Sequence, residues 1–342
     1  MPDVVRVLVV DDSAYVRKVV TQMLGRSPFI EVIGTARDGQ EALERAEDLD
    51  PDVITCDLNM PVMDGVAFVR SQMARKPVPI LIISIAAGSG EQVLAALDAG
   101  AVDFVQKPTA LATERLMEMS EELVDKVKAA ARAPRRIVLA RAPDTVAYIR
   151  SGPNAFDIVV IGVSTGGPQG LKRLIPELPA DLPVPVAIVM HMPVGYTEMY
   201  AQKLNELTPL RVVEAEEAQV VKAGSVYLAP AGRQLSFVRE GAEVKTHLDV
   251  RPLDTPHRPS VDVLFQSAAE VFGERVLGVV MTGMGSDGRA GAAWIKARGG
   301  YILTEAEETC VVYGMPRSVV EAGLSDGAIP LDALASTIVG KL

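Results

Sequence analysis

Short apolar runs alternate with helix-like stretches through residues 1–125, and this order constrains the fold more than any other feature of the sequence. Parallel strands need a crossover connection between them, usually a helix. Five repeats of strand then helix therefore predict a parallel sheet covered by helices on both faces. The predicted strands are Val4–Val10, Ile30–Ala36, Val53–Cys56, Ile80–Ser84 and Val102–Val105, and the last helix runs from about Leu111 to Ala130.

The second half of the chain, from Asn154 onward, shows the same alternation with one interruption. Residues 233–250 alternate between apolar and polar types with the period of a hairpin. We therefore predict a doubly wound parallel α/β domain with an antiparallel hairpin. Strands are predicted at 157–163, 184–190, 210–214, 225–229, 276–282, 300–304 and 311–312, and helices near 167–176, 196–207, 260–272 and 288–298.

Between the two halves, residues 131–153 are rich in arginine and contain Pro134, Pro143 and Pro153. Such a change of composition is typical of a connection between domains. The length of 342 residues also fits two domains, at roughly 100–200 residues each. We predict a first domain at 1–125, a linker at 126–153 and a second domain at 154–342.

The bulk composition excludes several classes of protein. The formal net charge of −10 and the isoelectric point of about 5.0 argue against a nucleic-acid binder. The two cysteines, Cys56 and Cys310, lie beside apolar residues, so a disulfide framework is not expected and a reducing compartment fits. No signal peptide is apparent, and no segment approaches the roughly 18 apolar residues of a membrane helix. We expect a soluble, cytoplasmic monomer without membrane insertion.

Polar side chains collect at the ends of the predicted strands of the first domain. Asp11 and Asp12 follow the first strand, Asp57 the third and Lys107 the fifth, and Ser84 ends the fourth. Because the carboxyl ends of parallel strands share one edge, these groups should meet there. Clustered carboxylates suit Mg²⁺, and a carboxylate can also carry a phosphoryl group, which a lysine and a hydroxyl would contact. Taken alone, the Asp11–Asp12 pair could equally cap the following helix.

The ordered set of residues 11–13, 57–65, 84 and 103–108 resembles the receiver domain of two-component response regulators, over about residues 4–125. The resemblance implies a flavodoxin-like fold, with Asp57 as phosphoacceptor and Lys107 beside the phosphoryl group. It also implies a magnesium site and a pair of switch residues. Asp12 and Asp57 would bind Mg²⁺ directly, Asp11 through water and Asn59 through its carbonyl, while Ser84 and Phe104 would be the switch residues.

A serine, a histidine and an aspartate follow apolar runs of the second domain. They are Ser164 in a Ser-Thr-Gly-Gly turn, His191 and Asp287, and together they could form a nucleophile, a base and its orienting acid. The glycine-rich turn beside Asp287 could supply an N–H for an oxyanion. Alternatives remain at each position, because the Ser164 turn could cradle a phosphate and Asp287 could cap a helix. His257 is a rival base, although the position of His191 at a strand end favours His191.

The second domain resembles the chemotaxis protein-glutamate methylesterases, the CheB family. The resemblance lies in residues 161–167, 191–193, 227–230, 257–262, 281–288 and 312–317. It implies hydrolysis of glutamate methyl esters on the cytoplasmic helices of chemoreceptors, and deamidation of particular glutamines. It further implies that Thr165 positions the histidine, that the Met284 N–H serves the oxyanion, and that the esterase needs no cofactor. Val163 and Tyr196 depart from the family pattern, where alanine and phenylalanine are expected.

A receiver domain joined to an esterase domain suggests that the receiver regulates the esterase. We expect the unphosphorylated receiver to cover the esterase crevice, and phosphorylation of Asp57 by the chemotaxis histidine kinase to shift the equilibrium away from that state. The alternative is a non-enzymatic response regulator whose second domain binds a nucleotide or a partner protein. That alternative is favoured only by the phosphate-friendly turn at Ser164.

Overall fold

The computed structural model describes residues 4–85, 90–107, 113–132 and 155–342. The chain divides into two compact units, Met1–Ala140 and Arg141–Leu342. Most of the predicted linker lies outside the described residues. Its first residues, 126–130, still belong to the last helix of the first unit.

The first unit contains a five-stranded parallel sheet, as the sequence predicted, and the order of its strands is β2-β1-β3-β4-β5. Its strands are nearly continuous apolar runs because helices cover both faces of such a sheet. The strands are β1 (Val5–Val10), β2 (Ile30–Ala36), β3 (Val53–Cys56), β4 (Ile80–Ile85) and β5 (Asp103–Lys107). The helices are α1 (Ala14–Leu24), α2 (Gly39–Leu49), α3 (Gly65–Arg75), α4 (Gly90–Asp98) and α5 (Thr113–Ala130).

The second unit is built on a seven-stranded sheet in the order β14-β13-β12-β6-β7-β9-β8, and every strand pair in it is parallel. Its strands are β6 (Ile158–Val163), β7 (Val186–Met190), β8 (Arg211–Glu214), β9 (Ser225–Leu228), β12 (Val276–Val280), β13 (Tyr301–Glu305) and β14 (Gly327–Ile329). Its helices are α6 (Gly167–Leu174), α7 (Thr197–Asn205), α8 (Val261–Phe272), α9 (Arg289–Ala297), α10 (Met315–Glu321) and α11 (Leu331–Lys341).

The predicted hairpin is present as β10 (Gln234–Glu240) paired antiparallel with β11 (Glu243–Asp249). Its inner side chains, Leu235 and Phe237, are buried with residues of α8 in the core of the unit. The hairpin therefore forms a layer outside the main sheet, with α8 packed against it.

The prediction of a strand at 311–312 was wrong. These residues form a bend, and the strand following β13 is β14 instead. The backbone of Val312 is used by a neighbouring loop: its carbonyl accepts from the N–H of Gly283 at 3.0 Å, and its N–H donates to Thr282 Oγ1 at 3.0 Å. A two-residue apolar run carries too little periodicity to distinguish a strand from a buried bend.

The order of the sheet places a crevice beside β6. From β6 the chain moves to β7 on one side, whereas from β12, the neighbour on the other side, it moves on to β13. Connections that leave adjacent strands in opposite directions open a crevice at the carboxyl ends of those strands. Ser164 follows β6, and Thr282 lies in the loop after β12, so both are at this point.

Candidate active site

Ser164 stands at the centre of the sheet edge, immediately after β6. Val163 pairs with Met190 of β7, so Ser164 and His191 continue two neighbouring strands about 4.8 Å apart. On the other side, the N–H of Ser164 donates to the carbonyl of Thr282 at 3.0 Å. Gly166, with φ of +80°, then turns the chain into α6. A side chain at Gly166 would also meet Val311, so this turn requires glycine.

His191 and Asp287 are directly joined. His191 Nε2 lies 2.8 Å from Asp287 Oδ2, and both side chains are largely buried. A carboxylate on Nε2 stabilises the tautomer that carries its proton there, which leaves Nδ1 as the nitrogen able to accept a proton. Within the described part of the chain, Ser164 Oγ makes no hydrogen bond to His191, a looseness common before substrate is bound.

Asp287 is fixed by the N-terminus of α8. Its Oδ1 accepts from Ser260 Oγ at 2.9 Å and from the Asp262 N–H at 3.0 Å, and its Oδ2 accepts from the Val261 N–H at 2.8 Å. Burial acts to raise the pKa of Asp287, but the hydrogen bond and charge of His191 and these backbone donors outweigh burial and lower it to about 2. The carboxylate is therefore held ionised and fixed in rotation.

The loop after β12 packs directly on the serine. A side chain at Gly283 would stand 2.8 Å from Ser164 Cβ and 2.4 Å from Met315 Sδ, so only glycine allows this approach. Gly283 also accepts hydrogen bonds from the N–H groups of Gly314 and Met315, at 3.1 and 2.8 Å. The N–H of Met284 comes next along a loop that is anchored on both sides. Thr165 is buried, and its carbonyl accepts from Thr282 Oγ1 at 2.9 Å.

A buried acid supports this loop from below. Glu305, at the end of β13, is fully buried, and its Oε2 accepts from the Thr282 N–H at 2.9 Å. Burial raises the pKa of Glu305 to about 7, although the hydrogen bond from Thr282 acts in the opposite direction. Glu305 was not predictable as a site residue, because its neighbours in the sequence give no sign that its side chain would face inward.

His257, the rival base, lies beside His191 but does not replace it. The two rings are stacked, with their centroids 4.0 Å apart and their planes 24° apart. Asp287 binds His191, and His257 contacts that pair from the face of the ring. The third histidine of the chain, His247, is on the surface, and its Nδ1 lies 2.9 Å from Glu217 Oε1.

The polar groups of the first unit also meet at one edge of their sheet. Lys107 Nζ donates to Asp11 Oδ2 at 2.7 Å and to Asp57 Oδ1 at 2.5 Å. Asp57 Oδ2 accepts from the Asn59 N–H at 3.0 Å. Burial raises the pKa of Asp11, against the effect of Lys107, and the pKa of Lys107 is raised because its two hydrogen bonds outweigh its burial. One lysine thus bridges two buried carboxylates.

The remaining predicted receiver residues differ in their exposure. Asp12 is exposed, whereas Ser84 and Phe104 are buried. Lys126 of α5 donates to the carbonyl of Phe104 at 2.7 Å and pairs with Asp103 at 3.1 Å, which ties β5 to the last helix. The described residues contain no group of three metal-binding side chains gathered in ligand geometry. The donors at this sheet edge, carboxylate oxygens and a backbone carbonyl, are of the kind that Mg²⁺ takes in proteins.

Two further supporting residues, Ser260 and Gln234, were not predictable from the sequence. Ser260, which holds Asp287, appears in the sequence only as a residue before a helix, a position typical of an N-cap. Gln234 is buried, and its Oε1 accepts from the Ser260 N–H at 2.7 Å. Both act through tertiary contacts that no local pattern contains.

Comparisons with known proteins agree with this architecture. Residues 159–338 match the family model for CheB methylesterase, and residues 7–121 match that for the response regulator receiver domain. A protein-glutamate methylesterase/protein-glutamine glutaminase 5 of Myxococcus xanthus is 49% identical over 339 residues, which cover 98% of this chain and 97% of that protein. The protein-glutamate methylesterase/protein-glutamine glutaminase of Halalkalibacterium halodurans is 42% identical over 98% of this chain and 97% of its own length.

Among solved structures, the crystal structure of the Thermotoga maritima CheB methylesterase catalytic domain is similar at 40% identity and a TM-score of 0.54. The match covers 55% of this chain and 99% of that one. None of the helices in the described residues is long and apolar enough to cross a membrane. By sequence and by fold, the chain belongs to the CheB methylesterase family, with a response regulator receiver domain at its N-terminal end.

Proposed function

We propose that this protein hydrolyses glutamate methyl esters on the cytoplasmic helices of chemoreceptors and deamidates particular glutamines there. The observation that carries the proposal is the 2.8 Å contact between His191 and Asp287 at the strand end next to Ser164. The relatives named above are methylesterases and glutaminases, which disfavours the alternative of a non-enzymatic output domain. On this substrate the reaction takes place in the cytoplasm.

In the first step His191 Nδ1 takes the proton of Ser164 Oγ while that oxygen attacks the ester carbonyl. Asp287 holds the ring by Nε2 and stabilises the imidazolium. The Met284 N–H donates to the oxyanion, and Thr165 supports the histidine. The carbon–oxygen bond to the methoxy group then breaks, and His191 returns the proton so that methanol leaves.

The second step releases the glutamate. A water gives its proton to His191 and attacks the acyl-serine, and the returned proton restores Ser164 Oγ–H. A glutamine follows the same course with ammonia as the leaving group. These steps need only acyl-transfer chemistry by side chains, so we propose no cofactor for the esterase site.

The first unit supplies regulation in this proposal. Asp57 accepts the phosphoryl group from the chemotaxis histidine kinase. Lys107 Nζ, which lies 2.5 Å from Asp57 Oδ1, then contacts the oxygens of the phosphoryl group. Asp12 and Asp57 would hold Mg²⁺ directly, Asp11 through water and Asn59 through its carbonyl. When bound, the ion would supply positive charge that offsets the negative charge of the phosphoryl group. Ser84 and Phe104 are the switch residues, which respond to phosphorylation of Asp57.

We further propose that the unphosphorylated receiver, residues 1–125, covers the crevice of residues 154–342, and that 126–153 link them within a monomer. A helical receptor is too large to enter a crevice that another domain covers. The test measures methanol release from methylated receptor membranes by the full chain and by a fragment starting at Asn154. The fragment should be faster than the unphosphorylated full chain, and equal rates would contradict occlusion.

The esterase assignment itself is tested by Ser164→Ala. This variant should release no measurable methanol while still incorporating phosphate at Asp57, because the two sites belong to separate units. Hydrolysis by Ser164→Ala at a rate near that of the wild type would exclude Ser164 as the nucleophile.

A further inference from the structure

The face of the His191 ring is covered by a second imidazole that the proposed reaction does not use. The centroids of His191 and His257 are 4.0 Å apart, and the planes are inclined by only 24°. His191 is thus fixed at one edge by Asp287 and on one face by His257. An edge contact alone leaves a ring free to rock about the Nε2–carboxylate axis, and a stacked neighbour limits that motion.

The loop that carries His257 is itself held by a buried side chain. Gln234 Nε2 donates to the His257 carbonyl at 3.0 Å and to Thr255 Oγ1 at 2.9 Å. The Oε1 of the same amide accepts from the N–H of Ser260, whose hydroxyl binds Asp287. One amide on β10 therefore places both the carboxylate and the stacked ring that contact His191.

The charge of the second ring also suits this role. Burial lowers the pKa of His257 to about 4, the nearby charge of His191 acts in the same direction, and Asp287 opposes them. His257 is therefore neutral at neutral pH. A neutral aromatic face attracts a cation stacked on it, whereas a second charged imidazole would repel it.

We infer that His257 is a positioning residue for His191, whose ring it holds in plane and whose imidazolium form it stabilises by stacking. This inference rests on the proposed function, in which His191 becomes an imidazolium in each step. This role differs from that of a catalytic base, because His257 neither donates nor accepts a proton during the reaction.

The decisive comparison is between two apolar replacements of similar size, His257→Phe and His257→Leu, in the full chain. Phenylalanine keeps a flat π face and leucine does not, and neither can act as a base. For methanol release from methylated receptor membranes, we expect His257→Leu to lower kcat about tenfold with little change in KM, because stacking serves the charged states of the reaction. His257→Phe should recover most of that loss.

A second readout does not depend on the reaction. The imidazole resonances of His191, followed by NMR, should lose their ring-current shift in His257→Leu and keep one in His257→Phe. His247→Gln, a substitution of an exposed histidine, should match the wild type in both measurements. If His257→Leu does not fold, as judged by thermal melting, His257→Gln replaces it, since it also lacks the ring.

Three results would overturn the inference. The first is a wild-type kcat and an unchanged His191 resonance in His257→Leu. The second is a loss of activity in His257→Phe as complete as in Ser164→Ala, which would make His257 the base. The third is an equal loss in both variants without any change at His191. Failure of the proposed function is distinguishable, because the wild type itself would then release no methanol while the resonances still report the stacking.

Discussion

Ser260 Oγ donates a hydrogen bond of 2.9 Å to Asp287 Oδ1, so the carboxylate that orients His191 is also part of the N-terminal cap of α8. The free N–H groups and the positive partial charge at a helix start stabilise an anion there. The position of the carboxylate in the site is thus tied to the stability of a helix that packs in the core of the second unit.

Substitutions of Ser260 and Asp287 should distinguish the effect of the carboxylate on the orientation of His191 from its effect on the stability of α8. Ser260→Ala removes one of several donors to Asp287, and we expect a loss of about 1 kcal/mol in the free energy of unfolding with a loss of kcat of only a few fold. Asp287→Asn keeps the shape but favours the wrong histidine tautomer, so kcat should fall by roughly 10³–10⁴. Urea unfolding and methanol release measure the two effects. Equal losses of kcat in both variants would contradict the separate roles.

Gly283 should be intolerant of a side chain because of its contact with Ser164, the proposed nucleophile. The added methyl group of Gly283→Ala would meet Ser164 Cβ and Met315 Sδ, both closer than 3 Å. We expect a loss of roughly 1–3 kcal/mol in stability, typical of overpacking, and a fall in kcat of at least tenfold. Gly340→Ala, where a Cβ would meet nothing within 4 Å, is the control and should leave kcat unchanged. A Gly283→Ala variant with full activity would show that the loop can move away from Ser164 freely.

The buried acid beneath the loop predicts a dependence of stability on pH. The pKa of Glu305 is raised from 4.5 to about 7, so between these values the folded protein keeps a proton that the unfolded chain has lost. The free energy of unfolding should therefore decrease as pH rises through this window, by up to about 3 kcal/mol from this residue. Glu305→Gln cannot titrate, and this part of the decrease should be absent from it.

The measurement is urea unfolding of the wild type and Glu305→Gln at several pH values. Glu307→Gln replaces an exposed acid of the same segment and should follow the wild-type curve. Parallel curves for the wild type and Glu305→Gln would mean that Glu305 is already ionised in the folded protein at the lower end of the window.

In the first unit, Lys107 forms ion pairs with two buried carboxylates, those of Asp11 and Asp57. Lys107→Met would leave Asp11 and Asp57 without their shared cation, and we expect a loss of several kcal/mol at neutral pH that becomes smaller as the acids are protonated. Phosphorylation of Asp57 by a small phosphodonor should also slow. Lys76→Met removes an exposed pair with Asp50 and should cost no more than about 1 kcal/mol. Similar losses in the two variants would show that the Lys107 cluster is solvated like a surface pair.

The fold was predictable where the pattern is strongly periodic and the topology is regular. In the first unit β3 is buried along its whole length and has the predicted bounds, Val53–Cys56. The C-terminal end of the chain was less predictable. Helices α10 and α11 and strand β14 were not predicted, because α10 and β14 are short and Gly327–Ile329 is only partly buried.

The same distinction applies to the site. Residues that follow neighbouring parallel strands lie at one edge of the sheet, so Asp11, Asp57 and Lys107 could be grouped from the sequence. The same holds for Ser164 and His191. The stacking of His257 on His191 could not be predicted in this way. It depends on a loop whose course is set by a buried amide on the hairpin, and such a contact leaves no periodic trace in the sequence.

The order of the strands in the second unit has a consequence for synthesis. The contact between His191 and Asp287 joins residues 96 positions apart in the sequence. Strand β12, which pairs with β6 and precedes Asp287, is therefore synthesised late. Domains fold largely in the order in which the ribosome releases them, at about 5–20 residues per second. A nascent chain therefore has its complete set of receiver residues for seconds before it contains Asp287. Each molecule can be ready to take up phosphate before it holds any esterase to regulate.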